Sequence, residues 1–152
     1  GHELEPGVSP PVSGQTGSHM DIANISIVDI VAGAVIGMVL GAFWYGPVLF
    51  GAAWMRAIGK TPETMGGQST PMLGSMVACL LTATGVALMF SATGVDSLPG
   101  ALGLGLVLGM LLVFPALLSD NLFCGWGARL LFIQSGYRVL SVLLMSLVMY
   151  YL

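Results

Sequence analysis

Gln134, Arg138 and Ser141 follow one another at steps of four and three, with Met145 four further on. Residues so spaced share one face of an α-helix. They stand inside a long apolar run from Arg129 to Leu152, so they form a polar stripe on a helix that otherwise suits lipid. Counted from Arg129 at about 1.5 Å per residue, Arg138 comes roughly 13 Å along, close to the bilayer middle. Insertion scales put an arginine there at about 2.5–3.5 kcal/mol unfavourable, so the stripe is expected to face the bundle interior or a water-filled cavity. Two chemistries fit it. One is contact with an anion or polar solute. The other is a structural guanidinium that snorkels and binds carbonyls or Asp120.

Other polar residues near the spans have two readings each. Asp120 and Asn121 follow the third apolar run, where Asp120 is placed to clamp Arg129 or Arg138, or to meet a solute. Asp29 comes three residues after Ser26, the spacing of a capped helix start, and the alternative for it is a proton-titrating site. Tyr45 beside Trp44 either lines a site or anchors the chain at the interface. Enzyme chemistry has little to build on. Both histidines, His2 and His19, fall in the leader, so no metal or cofactor site built on imidazole is expected, and no serine or cysteine sits in a nucleophile motif. Gly103-x-Gly105-x-x-x-Gly109 reads as helix packing and not as a nucleotide fingerprint.

The elements that position these groups follow from composition. The chain of 152 residues is 56% hydrophobic and 7% charged, with a mean hydropathy of +0.93, where a soluble domain carries about 25% charged residues. Residues 1–19 are rich in Pro, Gly and Ser and end Gly17-Ser18-His19 before Met20, which reads as an expression tag and linker. The remainder, 20–152, holds five acids against four bases, and this balance argues against a nucleic-acid partner and a polybasic lipid patch. The reading is an all-α integral membrane protein with four transmembrane helices, at about 27–46, 71–90, 99–118 and 129–152. Ser97 with Pro99, and Thr70 with Pro71, stand as helix starts. Pro115 predicts a kink or an early end in the third span. Leu49, Phe50, Trp54 and Ile58 share one face after the first span, which predicts a short interfacial helix with Trp44, Trp54, Arg56 and Lys60 as anchors.

Arg56, Lys60 and Arg129 all fall in the first and third connections, while the opposite side holds Asp21, Asp29 and Asp96 and no base. The positive-inside rule then puts both basic connections in the cytoplasm and both termini outside. Small residues at four-residue spacing mark packing faces: Gly33, Gly37 and Gly41 in the first span, Gly74, Ala78 and Thr82 in the second, and Ala101, Gly105 and Gly109 in the third. Such faces serve either a tight bundle within one chain or a homo-oligomer. Cys79 lies within a span and Cys124 in a connection, so no disulfide is expected.

The stretch Trp44-Tyr45-Gly46-Pro47, followed by Phe50-Gly51-x-x-Trp54-Met55, resembles the signature of a small bacterial membrane-protein family, domain of unknown function 1761. Asn121-Leu122-Phe123 and Gly136-Tyr137-Arg138 are similar as well, and the likeness covers most of Met20 to Leu152. It implies four spans with an interfacial segment after the first and adds no activity. Function divides into two readings. The first is a small transporter or channel with a polar intramembrane site around Arg138. The second is a non-transporting assembly protein that packs through its glycine faces. The expected setting is the bacterial cytoplasmic membrane, with the lipid bilayer, and in the second reading a second copy of the chain, as partners.

Overall fold

The computed structural model describes residues 25–152; the leader 1–19 and Asp21 lie outside them. The described elements are all helical: α1 (Ile27–Trp44), α2 (Gly51–Ile58), α3 (Ser69–Thr93), α4 (Leu98–Val107), a π-helical turn (Leu108–Val113), α5 (Phe114–Cys124) and α6 (Ala128–Tyr151). α4, the π turn and α5 run on as one helix of 27 residues. Four helices are therefore long and apolar enough to cross a membrane. The architecture is an all-α, multi-pass membrane protein, with a short helix after the first span.

Several helix ends differ from the sequence reading, each for a local reason. α3 begins at Ser69 with Gln68 as its cap, so Thr70 and Pro71 are already inside the first turn. Ser26 occupies the cap position of α1, but its side chain makes no capping bond. Ser97 does cap α4, accepting the Gly100 N–H at 3.2 Å. The third span neither stops nor breaks at Pro115. Proline lacks an N–H and its ring meets the carbonyl four residues back. The i→i+5 turn just ahead of Pro115 absorbs that misfit, and the helix continues to Cys124. Cys124 is thus the last helical residue and not part of a loop, and both cysteines are free. At about 1.5 Å per residue, 27 residues span roughly 40 Å, so the Asp120 end of this helix reaches the headgroup region.

α6 is the hub. Ten of its 24 residues are buried, against three of 18 in α1. It packs on α1 and α3 along one side and on α4, the π turn and α5 along the other. Side chains this apolar gain nothing by leaving lipid for one another, so helices join where backbones come close and polar groups meet. The glycines at the seams fulfil the first condition. A Cβ built on Gly33 would stand 3.0 Å from Ala83 Cβ, and one on Gly37 2.8 Å from Met145 Cε and 3.1 Å from Cys79 Sγ. On Gly105 it would stand 2.9 Å from Leu143 Cα, and on Gly109 3.0 Å from Val139 Cγ1. Gly41 lies against the Tyr137 ring. Gly74 departs from the expected packing face: it is exposed, with nothing within 4 Å of such a Cβ. The polar links are few and directed. Ser146, fully buried, donates to the Ala101 carbonyl at 2.7 Å, and Trp44 Nε1 donates to the Ile133 carbonyl at 2.9 Å.

Candidate functional site

α1 and α3 are closest where their small residues meet, at Gly33 with Ala83 and Gly37 with Cys79. From Cys79 toward its N-terminus, α3 no longer closes on α1, and a cavity lies between them. Met72, Leu73, Met76 and Val77 are all exposed there. The gap left between the two helices is a cavity of about 660 Å³, within the roughly 300–1,000 Å³ usual for small-molecule sites. Met38, Gly41 and Tyr45 line it from the α1 side, and Met72, Ser75 and Cys79 from α3. α6 supplies Gln134, Tyr137 and Arg138. Trp54 and Met55 of α2, with Met65 and Gln68 of the following connection, line its outer end.

One wall is aromatic. The Trp54 and Tyr45 rings meet edge to face at 5.1 Å, and Tyr45 meets Tyr137 in the same way at 5.4 Å. The Arg138 guanidinium carbon lies 5.3 Å from the Tyr137 ring centre, within reach of its π face. Arg138 itself is exposed to the cavity. None of the residues lining the cavity is acidic, and among the described residues no carboxylate forms an ion pair with Arg138. Arg138 is the eleventh residue of α6, about 15 Å from its first, so the charge stands deep in the span. Tyr137 forms the floor: its buried hydroxyl donates to the Gly37 carbonyl at 2.9 Å and stands 3.9 Å from Cys79 Sγ.

The expected stripe is divided between two surfaces. Gln134 and Arg138 face the cavity, while Ser141 and Met145 are buried against Gly37. Tyr45 joins the cavity group. Asp120 and Asn121 do not. Asp120 is exposed near the end of α5, and among the described residues it pairs with neither Arg129 nor Arg138. Its depth explains this. It sits four residues from the end of α5, roughly 6 Å in, whereas Arg138 is roughly 15 Å in from the same side. Asn121 is buried as a loop fastener, its amide donating to the Gly127 carbonyl at 3.0 Å. Asp29 lies at the far end of the bundle, beside a second cavity of about 370 Å³ between α1 and α3 that Ser26, Ser91 and Met149 also line.

The expected anchors also separate. Arg56 and Lys60 are exposed, Trp54 belongs to the cavity, and Trp44 is tied to α6 through its indole nitrogen. Tyr137 is the functional-site residue that the sequence reading passed over. A signal for it exists: Tyr137, Ser141, Met145 and Met149 form a ridge at four-residue steps, the complement of Gly41, Gly37 and Gly33.

The family model described as Protein of unknown function (DUF1761) matches residues 28–150. The chain belongs to this family. The matched stretch takes in every helix described above, but for the end residues Ile27 and Tyr151, and all the residues of the cavity wall. No curated protein and no solved structure matches the chain.

Proposed function

We propose that this DUF1761 protein is a small transporter and that the Arg138 cavity is its solute site. The observation that carries the proposal is an exposed guanidinium deep in a span, in an open cavity without a carboxylate to neutralise it. A charge in that position is unfavourable to insert, and ionisable groups kept there mark solute pathways as a default hypothesis. A second observation favours passage over simple capture. The Asp29 cavity lies at the other end of the same α1–α3 seam. Between Cys79 and Ala87, which line the two cavities, α3 advances about 12 Å. The plug in this interval consists of small residues and methionines, Gly33, Gly37, Ala83 and Met145, whose packing is adjustable. We assign no catalysis and no cofactor to the site.

The setting proposed is the bacterial cytoplasmic membrane, with α2, Arg56, Lys60 and Arg129 on the cytoplasmic side and both termini outside. The Arg138 cavity then opens toward the cytoplasm and the Asp29 cavity toward the exterior. The competing reading, assembly through glycine faces, keeps less of its surface. Gly33, Gly37, Gly41, Gly105 and Gly109 all meet neighbours within the same chain, and of the expected faces the exposed Gly74 stays open. A homo-oligomer would use that or another outward surface.

Cysteine accessibility tests the proposal. Ser75→Cys and Gln134→Cys are made in a background without native thiols, Cys79→Ala with Cys124→Ala, because Cys79 also lines the cavity, and Ser141→Cys serves as the buried control. A membrane-impermeant thiol reagent is applied to right-side-out and inverted vesicles. Labelling at 75 and 134 in inverted vesicles, with 141 silent, is the expected result. Silence at both cavity positions from either side overturns the proposal.

A further inference from the structure

Resting on that reading of the Arg138 cavity, we infer that its ligand is a small amphipathic monoanion: one carboxylate held by Arg138, with an apolar body along the methionine-rich wall. Charge complementarity gives the head. The cavity offers one guanidinium, and neither a second base nor an acid is among its lining residues. A single anionic group is neutralised there, whereas a second charge on the ligand would stay uncompensated in a site of low dielectric. A guanidinium presents a planar fork of N–H donors, which fits a carboxylate in a two-point contact. Gln134, one turn before Arg138, and the Tyr45 hydroxyl add neutral donors along the same wall.

The body follows from the rest of the lining. Met38, Met55, Met65 and Met72 surround the space with flexible, polarisable side chains that fit irregular apolar shapes. Trp54 adds a flat apolar face. A short alkyl or aryl chain suits these walls, and an anion with little or no apolar body, such as acetate or phosphate, leaves them without a partner.

A lipid phosphate has the same head chemistry, but depth decides against it. Arg138 stands about 15 Å along its span, so a phospholipid headgroup would have to leave the interface and bring its glycerol with it. A free solute drags nothing behind it.

The test uses the full chain in nanodiscs of neutral lipid and follows tryptophan fluorescence, with ω-bromooctanoate as the probe. Bromine quenches a tryptophan it approaches, and Trp54 lines the cavity. Saturable quenching is expected for wild type and is lost in Trp54→Phe. Arg138→Gln weakens the apparent affinity at least about tenfold, while Arg138→Lys, which keeps the charge but loses the two-point fork, falls between wild type and Arg138→Gln. Bromooctanol and bromooctylammonium show only the linear signal of partition into lipid. Equal saturable binding of the neutral alcohol, or an unchanged Arg138→Gln, overturns the inference. At high ionic strength, which screens the surface potential that would repel the probe, exchanging neutral lipid for phosphatidylglycerol should leave the affinity unchanged. Its loss there makes a lipid headgroup the occupant and overturns the inference too. Cysteine labelling separates the two levels. Labelled positions 75 and 134 without saturable quenching refute the ligand class alone, and unlabelled positions refute the cavity reading beneath it.

Discussion

The Tyr137 hydroxyl donates a 2.9 Å hydrogen bond to the Gly37 carbonyl, a hundred residues away in the chain. The bond exists because Gly37 has no side chain. A Cβ there would stand 3.1 Å from Cys79 Sγ and 3.2 Å from Ser141 Oγ, on the same crowded seam. The glycine face thus joins α1 to α6 and at the same time sets the floor of the Arg138 cavity.

Removal of that hydroxyl measures the bond. Tyr137→Phe keeps the ring against Gly41 and Tyr45, so only the hydrogen bond is lost. Interhelical hydrogen bonds in membrane proteins average about 0.6 kcal/mol and reach about 1.7. The expected loss of stability lies in that range, read by SDS-titration unfolding. Labelling at 75 and 134 stays as in wild type. A collapse of the fold would mean that the ring position itself depends on the hydroxyl.

Two glycines on one helix give opposite results. On Gly105 a Cβ would stand 2.9 Å from Leu143 Cα, a backbone atom that cannot swing aside. On Gly103 there is nothing within 4 Å. Gly105→Ala therefore forces α4 and α6 apart, at a cost of about 1–3 kcal/mol. Gly103→Ala is neutral, or stabilising by up to about 1 kcal/mol through helix propensity. SDS titration of the pair checks the order, and equal effects would contradict the close approach.

The spans and their small-residue faces are legible in the sequence because length and apolarity determine crossing, and only small side chains let backbones approach. Gly33, Gly37, Gly41, Gly105 and Gly109 sit at seams as their spacing implies. Gly74 has the same spacing and no neighbour, because spacing alone does not say which helix comes near. The stripe from Gln134 to Met145 is legible as a polar face but not as two faces. Its step of three between Arg138 and Ser141 crosses from one ridge of α6 to the next. The ridge that runs in steps of four, Tyr137 to Met149, is the one that enters the α1 seam. The cavity itself is not legible, since it depends on the space left between α1 and α3. No local pattern in Pro71–Val77 encodes that space.

Asn121 fastens the turn between α5 and α6. Its side-chain amide donates to the Gly127 carbonyl at 3.0 Å, and its backbone carbonyl accepts the Gly125 N–H at 2.9 Å. Gly125 and Gly127 both adopt positive φ, 67° and 91°, so the turn between α5 and α6 depends on local bonds. Asn121→Ala is expected to cost about 1 kcal/mol, the usual value of a buried hydrogen bond. The affinity for ω-bromooctanoate should not change, because Asn121 is not in the cavity wall. A change in affinity at unchanged stability would put Asn121 in the solute path.

Arg138 distinguishes a structural from a functional role by the size of one measurement. A structural arginine holds partners, so its removal leaves buried groups unsatisfied and lowers stability by several kcal/mol. Here the guanidinium is exposed to the cavity, and among the described residues it has no ion-pair partner. Truncation to alanine removes its approach to the Tyr137 ring, worth about 0.5–1 kcal/mol at an exposed site. The cavity spares the charge contact with lipid tails, so truncation recovers little of the insertion cost. The net loss expected is at most about 1 kcal/mol. Arg138→Ala in neutral-lipid nanodiscs should unfold close to the wild-type midpoint, while saturable quenching by ω-bromooctanoate disappears. A large fall in the midpoint of Arg138→Ala, with quenching retained, would reverse the assignment and make the guanidinium part of the scaffold.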